Sequence, residues 1–248
     1  MKSLFVWMLG AVFAASGAGA QTGEPPLPPA TAKTISGELV CSSLRDAAPC
    51  GRETFTLTRQ TDGSRTLRVF SDQLQRGNQI SIVVRLDPGF RPLEGFTLTY
   101  ASGQFLGAGF YAVRGDTLTS TVKTPERDVT EAMKVPEKFH LLLHPAAADG
   151  LHFALYDMKL GGEQRIPRCA AGNARESVRC MIAPEVRLQY VGEETITVPA
   201  GTFATRHFKY TDNTDVWVAG EDYVVVRHEY RGYRTRFELS TLVGDIGP

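Results

Sequence analysis

Three histidines, His140, His144 and His152, fall in the stretch FHLLLHPAAADGLHF together with Asp149, and Tyr156 and Asp157 follow directly. Imidazole and carboxylate groups move protons near neutral pH and ligate transition metals. A spacing of four puts His140 and His144 on one face of either a helix or a strand. The residues between them are all leucine, however, the H-E-x-x-H pattern is absent, and Pro145 cuts off any helix. No metal site and no cofactor are therefore expected, and His144-Pro145 and Asp149-Gly150 read as loop-shaping pairs.

A second group, Arg206, Asp215, Arg227, His228, Glu229, Arg234 and Arg236, lies in the C-terminal part of the chain. Neighbouring antiparallel strands could bring a carboxylate, a histidine and an arginine together, where partial burial would tune them for acid–base chemistry. Cross-strand ion pairs on a wet face are the simpler expectation for the group as a whole. Nucleophilic catalysis has little support, because no serine sits in G-x-S-x-G. No Walker loop or dinucleotide fingerprint occurs either.

The segments that must position these residues begin with MKSLFVWMLGAVFAASGAGAQ, a basic residue, an apolar run and a small-residue end. That layout is a secretory signal peptide over residues 1–20, cleaved after Ala20. Its apolar run is shorter than the roughly 20 residues that cross a bilayer, and no transmembrane segment is expected. Residues 21–32, QTGEPPLPPATA, read as a Pro-rich extended tether, and residues 33–248 as one domain. Charge is balanced at 27 basic and 27 acidic residues, so a nucleic-acid partner is not expected. Cys41, Cys50, Cys169 and Cys180 form two sequence-local pairs, for which an oxidising compartment makes Cys41–Cys50 and Cys169–Cys180 the simplest disulfides. Four cysteines allow three connectivities, and neither pair has the C-x-x-C spacing of a zinc site.

Period-two alternation recurs along the chain. Leu67 and Val69 share a face from which Arg65 and Arg68 are excluded. Ile80, Ile82, Val84 and Leu86 line one side of the next strand, and Phe96, Leu98 and Tyr100 one side of another. Arg114-Gly115-Asp116 marks a hairpin. In VPAGTF, Pro199 and Gly201 turn the chain and launch a strand on which Arg206, Phe208 and Tyr210 face away from Thr205, His207 and Lys209. Short helices are expected over Thr124–Lys134 and Ala146–Leu155. The remaining segments give about ten strands, hence a mainly β fold built on an antiparallel sheet. Several strands, such as YVVVRHEY, are apolar on both faces, so an inner face could enclose an apolar space.

YVGEETITVPAGTFATRHFKY, followed by DVWVAGEDYVVVRHEY and FELSTL, resembles a widespread family of exported proteobacterial proteins of unknown function, with a V-P-A-G-T-F turn and a D-x-W-x strand. HPAAADGLHFALYDMKLGG is similar to a His-Pro, Asp, aromatic segment of the same proteins. The resemblance implies a single strongly curved antiparallel sheet, a half-barrel like the LolA and LppX lipoprotein carriers, with one or two short helices. That shape cradles apolar ligands, and it also occurs in VioE, a cofactor-free enzyme. The expected function is a periplasmic carrier holding a hydrophobic or amphiphilic molecule, lipid-like or aromatic, in a cavity lined by Val84, Leu98, Phe110, Phe208, Trp217, Val225 and Phe237. The alternative is a cofactor-independent lyase, isomerase or hydrolase of a small hydrophobic or aromatic substrate. It would draw on His140, His144, Asp149, His152, Tyr156, Asp157, Arg206 and His228. A third reading is an envelope protein partner docked on an exposed sheet edge.

Overall fold

The computed structural model describes residues 32–73, 77–170, 181–210 and 213–247. The signal-peptide and tether segments and Cys180 lie outside them.

Strands β1 (Lys33–Ser43), β2 (Pro49–Arg59), β3 (Arg65–Gln73) and β4 (Asn78–Leu86) open the fold. Next come β5 (Pro92–Ala101), β6 (Gln104–Arg114), β7 (Thr117–Lys123) and β8 (Asp128–Lys134). The short β9 (His140–Leu142) leads into the helix α1 (Ala146–Phe153). Then follow β10 (Glu163–Ala170), β11 (Met181–Val198), β12 (Gly201–Tyr210), β13 (Thr214–Ala219), β14 (Val224–Tyr230) and β15 (Thr235–Val243).

Among the described residues all fifteen strands belong to one sheet, in the order β8-β7-β6-β5-β4-β3-β2-β1-β15-β14-β13-β12-β11-β10-β9. Every pairing is antiparallel except that of β9 with β10. β1 and β15 pair at the centre, with Cys41 opposite Phe237, and β8 and β9 are the two edges. A sheet of this length twists and curls. Here the inner faces of its two halves approach each other around α1, which packs on β13 and β14 from one side and on β2, β3 and β9 from the other. The sheet does not close by hydrogen bonds, so the fold is an open, curved half-barrel.

Thr124–Lys134 is not helical. Thr124 bonds Arg127 in a tight turn, and Asp128–Lys134 continues as edge strand β8, its residues alternating between exposed and half-buried. Val129 and Met133 keep period two, and that placement outweighs the helix-forming Glu-Ala-Met run. Ala146–Phe153 is helical as expected. Its start is fixed by Pro145 (φ −63°) and by His144, which adopts φ +78°, a left-handed conformation costly for a non-glycine residue. The helix carries small side chains where it meets the sheet. A Cβ at Gly150 would lie 2.1 Å from the carbonyl oxygen of Tyr223, so only glycine permits this approach. Phe153 is fully buried and stacks on Phe208 at 4.6 Å. A buried aromatic of this kind contributes about 1.5–3 kcal/mol.

Arg65 is a second departure. It shares the inward face of β3 with Leu67 and Val69 and is only 6% exposed. Its Nε donates to Asp222 at 2.8 Å and its guanidinium lies 3.9 Å over the Phe90 ring. Phe90 meets Tyr223 edge-on at 5.5 Å, and Arg206 covers Tyr223 at 4.0 Å. This stack joins the β4–β5 turn to the β13–β14 turn across the mouth of the half-barrel.

The structure contains the Cys41–Cys50 disulfide, and Cys169 is also disulfide-bonded. Among the described residues no helix is long and apolar enough to cross a membrane.

Candidate functional site

Helix α1 projects two titratable side chains one turn apart, Asp149 and His152, into the interior. β9 brings His140 from one side and β14 brings His228 from the other. His140 Nε2 lies 2.6 Å from His152 Nδ1, His152 Nε2 lies 3.2 Å from Asp149 Oδ1, and His228 Nε2 lies 2.9 Å from Asp149 Oδ2. All four residues are buried. Accepting at both oxygens, Asp149 requires both histidines to donate from Nε2. His152 then accepts at Nδ1 from His140 Nε2, and Nδ1 of His228 is the ring nitrogen left over. That atom is buried and has no hydrogen-bond partner.

Burial is the main cause that lowers the His140 pKa, to about 3, with the charge of Arg168 adding to it. His152 is lowered well below the ordinary imidazole value, first by burial and then by His140, Arg168 and His228. Both are neutral bases in a buried setting. The ligating atoms point along a chain, on opposite edges of the His152 ring, and do not converge on one point. No group of three His, Cys, Asp or Glu residues is placed to hold a metal ion among the described residues.

Around this chain stand three residues to which the sequence reading gave no role. Glu53 on β2 is 0% exposed, accepts the backbone N–H groups of Ala146 and Ala147 at 3.1 and 2.9 Å, and accepts the Ser71 hydroxyl. Burial raises its pKa against the lowering effect of those bonds. A signal was present: Glu53 alternates with Phe55 and Leu57 on the buried face of β2, where a lone acid needs a partner. Tyr210 faces His152 at 5.4 Å between ring centroids, and burial, followed by the charge of Asp149, pushes its phenol pKa up. Arg168 donates from Nη1 to the Tyr210 hydroxyl at 3.2 Å.

Of the eight catalytic candidates, His140, Asp149, His152 and His228 come together. His144 sits in the bend before α1. Tyr156 donates to the carbonyl of Gly162, and Asp157 is clamped by the Gln164 side chain, so both shape the loop after the helix. Arg206 belongs to the mouth stack.

The seven cavity candidates do not line one space. Val84, Phe208, Val225 and Phe237 face inward. Leu98 and Phe110 lie on the outer face, where Phe110 is 50% exposed and packs on Phe96. The reason is on the opposite side of these strands. A Cβ at Gly95 would come within 2.5 Å of Leu141, and one at Gly109 within 2.3 Å of the Tyr111 hydroxyl, so the inner wall there consists of glycine and of Thr97 and Thr99. Trp217 is also on the outer face. It stacks on His207 at 4.3 Å and donates to Glu194, while His207 bridges Glu194 and Asp215, and Asp215 pairs with Arg231. Arg227 pairs with Glu238 and Arg236 with Glu229, the cross-strand ion pairs expected of this group.

Two small cavities flank α1. One is bounded by Phe55, Leu57, Leu67, Ala147, Val224 and Val225, the other by Ile82, Val84, Leu86, Leu141, Leu143, His140 and His152. Each offers about 10 Å³ to the centre of a water molecule, room for one water. Leu151 of α1 borders both and separates them.

No known protein family matches the sequence, and no curated protein does. Among solved structures, the chain is similar to a beta-barrel-like protein of the domain of unknown function DUF1849 from Brucella abortus. The identity is 8%, the match covers 87% of this chain and 99% of that one, and the TM-score is 0.51. A DUF1329 family protein from Desulfovibrio piger matches at 13% identity over 88% of each chain, with a TM-score of 0.27. The likeness to the first is one of fold.

Proposed function

We propose that the chain binds a small hydrophobic or amphiphilic molecule, lipid-like or aromatic, between α1 and the β2–β5 wall, as a carrier in the periplasm. The observation that carries this reading is the pair of one-water cavities on either side of Leu151, with largely aliphatic walls and two neutral histidines bordering one of them. Apolar walls with a few placed polar groups are the usual composition of a small-molecule site. The space is small with α1 seated, so a ligand takes the place of Leu151 and displaces the helix outward. The Cys41–Cys50 disulfide fits an oxidising compartment. Native mass spectrometry of protein exported by a host cell, followed by solvent extraction, tests the reading. A released hydrophobic compound supports it. Protein of apo mass that also takes up no apolar probe from solution sinks it.

A second reading, a cofactor-independent enzyme, is favoured by one observation: the bare Nδ1 of His228, a base oriented by Asp149 through its other ring nitrogen. An acid that fixes the tautomer of a histidine leaves the free nitrogen ready to accept a proton. Turnover of small hydrophobic or aromatic substrates should then fall at least about 100-fold in His228→Gln. Equal rates in both proteins on every substrate turned over would remove this reading.

A further inference from the structure

Between Ile166 and Arg168 the pairing of β10 with β11 shifts register. The extra residue lies on β11, between Ala183 and Val186, so Arg168 keeps the face of buried Ile166. It stands next to its β9 partner His140, and its Nη1 reaches the hydroxyl of inward-facing Tyr210. The Arg168 charge contributes, behind burial, to the lowered pKa of His140 and of His152. Its Nε is buried and has no hydrogen-bond partner. No carboxylate pairs with Arg168 among the described residues. Asp149, the acid of this cluster, is already engaged by His152 and His228.

Arg168 as a whole is half-buried, but a buried donor on a charged group that finds no acceptor is costly. Arginine cannot shed its proton to escape that cost. The Nε edge of a guanidinium also matches the two oxygens of a carboxylate. An anion arriving with the ligand would give that donor an acceptor, and the aliphatic cavity bordered by its strand partner His140 would take an attached chain.

We infer that Arg168 receives the head group of the bound molecule, and that the ligand class is a single-tailed amphiphile with a carboxylate head. The inference rests on the binding reading above and narrows it. Tyr210 orients the guanidinium through Nη1 and leaves Nε to the ligand. The neutral imidazoles of His140 and His152 add no competing charge.

Calorimetry on the mature chain with decanoate, decanol and acetate tests this. Decanoate should bind at least about tenfold more tightly than decanol, a difference in the range of one charge-assisted hydrogen bond. Acetate should bind far more weakly than decanoate, because the tail supplies the apolar contact. Arg168→Gln should bring decanoate down to the level of decanol, and Arg168→Lys should keep part of the preference. Equal binding of decanoate and decanol by the unaltered chain overturns the inference and leaves the binding reading standing, and that comparison needs no variant to fold. A preference that survives in folded Arg168→Gln also overturns it. Acetate binding as tightly as decanoate points to a plain anion site and overturns the amphiphile class. If neither ten-carbon compound binds, the inference falls, and the extraction and apolar-probe uptake described above decide the binding reading.

Discussion

Glu53 on β2 accepts the first two backbone N–H groups of α1, at Ala146 and Ala147, from a position 93 residues away in sequence. The helix has no side-chain cap of its own, since Pro145 stands at its N-cap. A carboxylate borrowed from the opposite wall satisfies those amides and favours the positive end of the helix dipole.

Glu53→Ala should therefore leave three donors without an acceptor inside the half-barrel. Each such group costs about 1–3 kcal/mol when buried. Partial relaxation should hold the total to about 2–4 kcal/mol, read as a lower urea midpoint at unchanged slope. A midpoint matching that of the unaltered protein would show that α1 is held by other contacts.

His140 and His152 have folded pKa values below the unfolded imidazole value of 6.5. The unfolded chain binds more protons than the native one below that pH, so stability is full above about 6.5 and declines as pH falls toward 3. His140 alone should make the protein about 2 kcal/mol less stable at pH 5 than at pH 7. Glu53 works in the opposite sense. Its raised pKa gives a contribution that is present at and below about 4.5, the unfolded value, and is lost as pH rises through the folded one. Denaturation series at several pH values should thus show a shallower acid loss in His140→Gln and a steeper one in Glu53→Gln. Parallel curves for all three proteins would contradict the assignment.

Gly150→Ala adds one methyl group against the carbonyl oxygen of Tyr223 and against Val225. The helix must then lift off β14, at a cost of about 1–3 kcal/mol for overpacking. Slowed hydrogen exchange in this helix relative to the unaltered protein would be the wrong outcome. Faster exchange confined to residues 146–153 and their neighbours on β14 is expected.

Leu151 separates the two chambers, so Leu151→Ala should join them and Leu151→Trp should fill both. The alanine variant should lose about 1–3 kcal/mol of stability, less than a fully buried leucine, and take up an apolar fluorescent probe more tightly. The tryptophan variant should take up less. The same probe affinity in all three proteins would exclude the α1 chamber as the binding space.

Much of the architecture was readable because strands alternate. The VPAGTF turn, the Arg114–Asp116 hairpin and the helix at Ala146 follow from local rules, and each lies where its residues put it. The face assignments were harder. Phe96, Leu98 and Tyr100 alternate as a buried row would, but their strand is lined inside by glycine and threonine to make room for Leu141 and Tyr111, a constraint set by β9 and β6. Period two says that residues share a face and is silent on which face is the inner one. Likewise His140, Asp149 and His152 were picked out by type and proximity, and His228 by type alone. The contact of His228 with Asp149 spans 79 residues and depends on how the sheet curls. Arg65 and Glu53 could have been flagged by a stricter reading, as charges in phase with apolar neighbours.

One feature of the strand order extends beyond the site. Walking from β9 through β15, then β1 through β8, visits every strand beside the previous one, and the segment 135–139 is all that links the two edges. The strand order is thus sequential, antiparallel at every step but the parallel one from β9 to β10 through α1, with β1 and β15 paired at its middle and its break in hydrogen bonding at the seam. A circular permutant opened at 135–139, with a linker joining the ends of β15 and β1, would keep every strand pairing in strict succession. Such a protein would separate two roles that one peptide segment now combines: holding the barrel's edges together and delivering β9 and α1 into its interior.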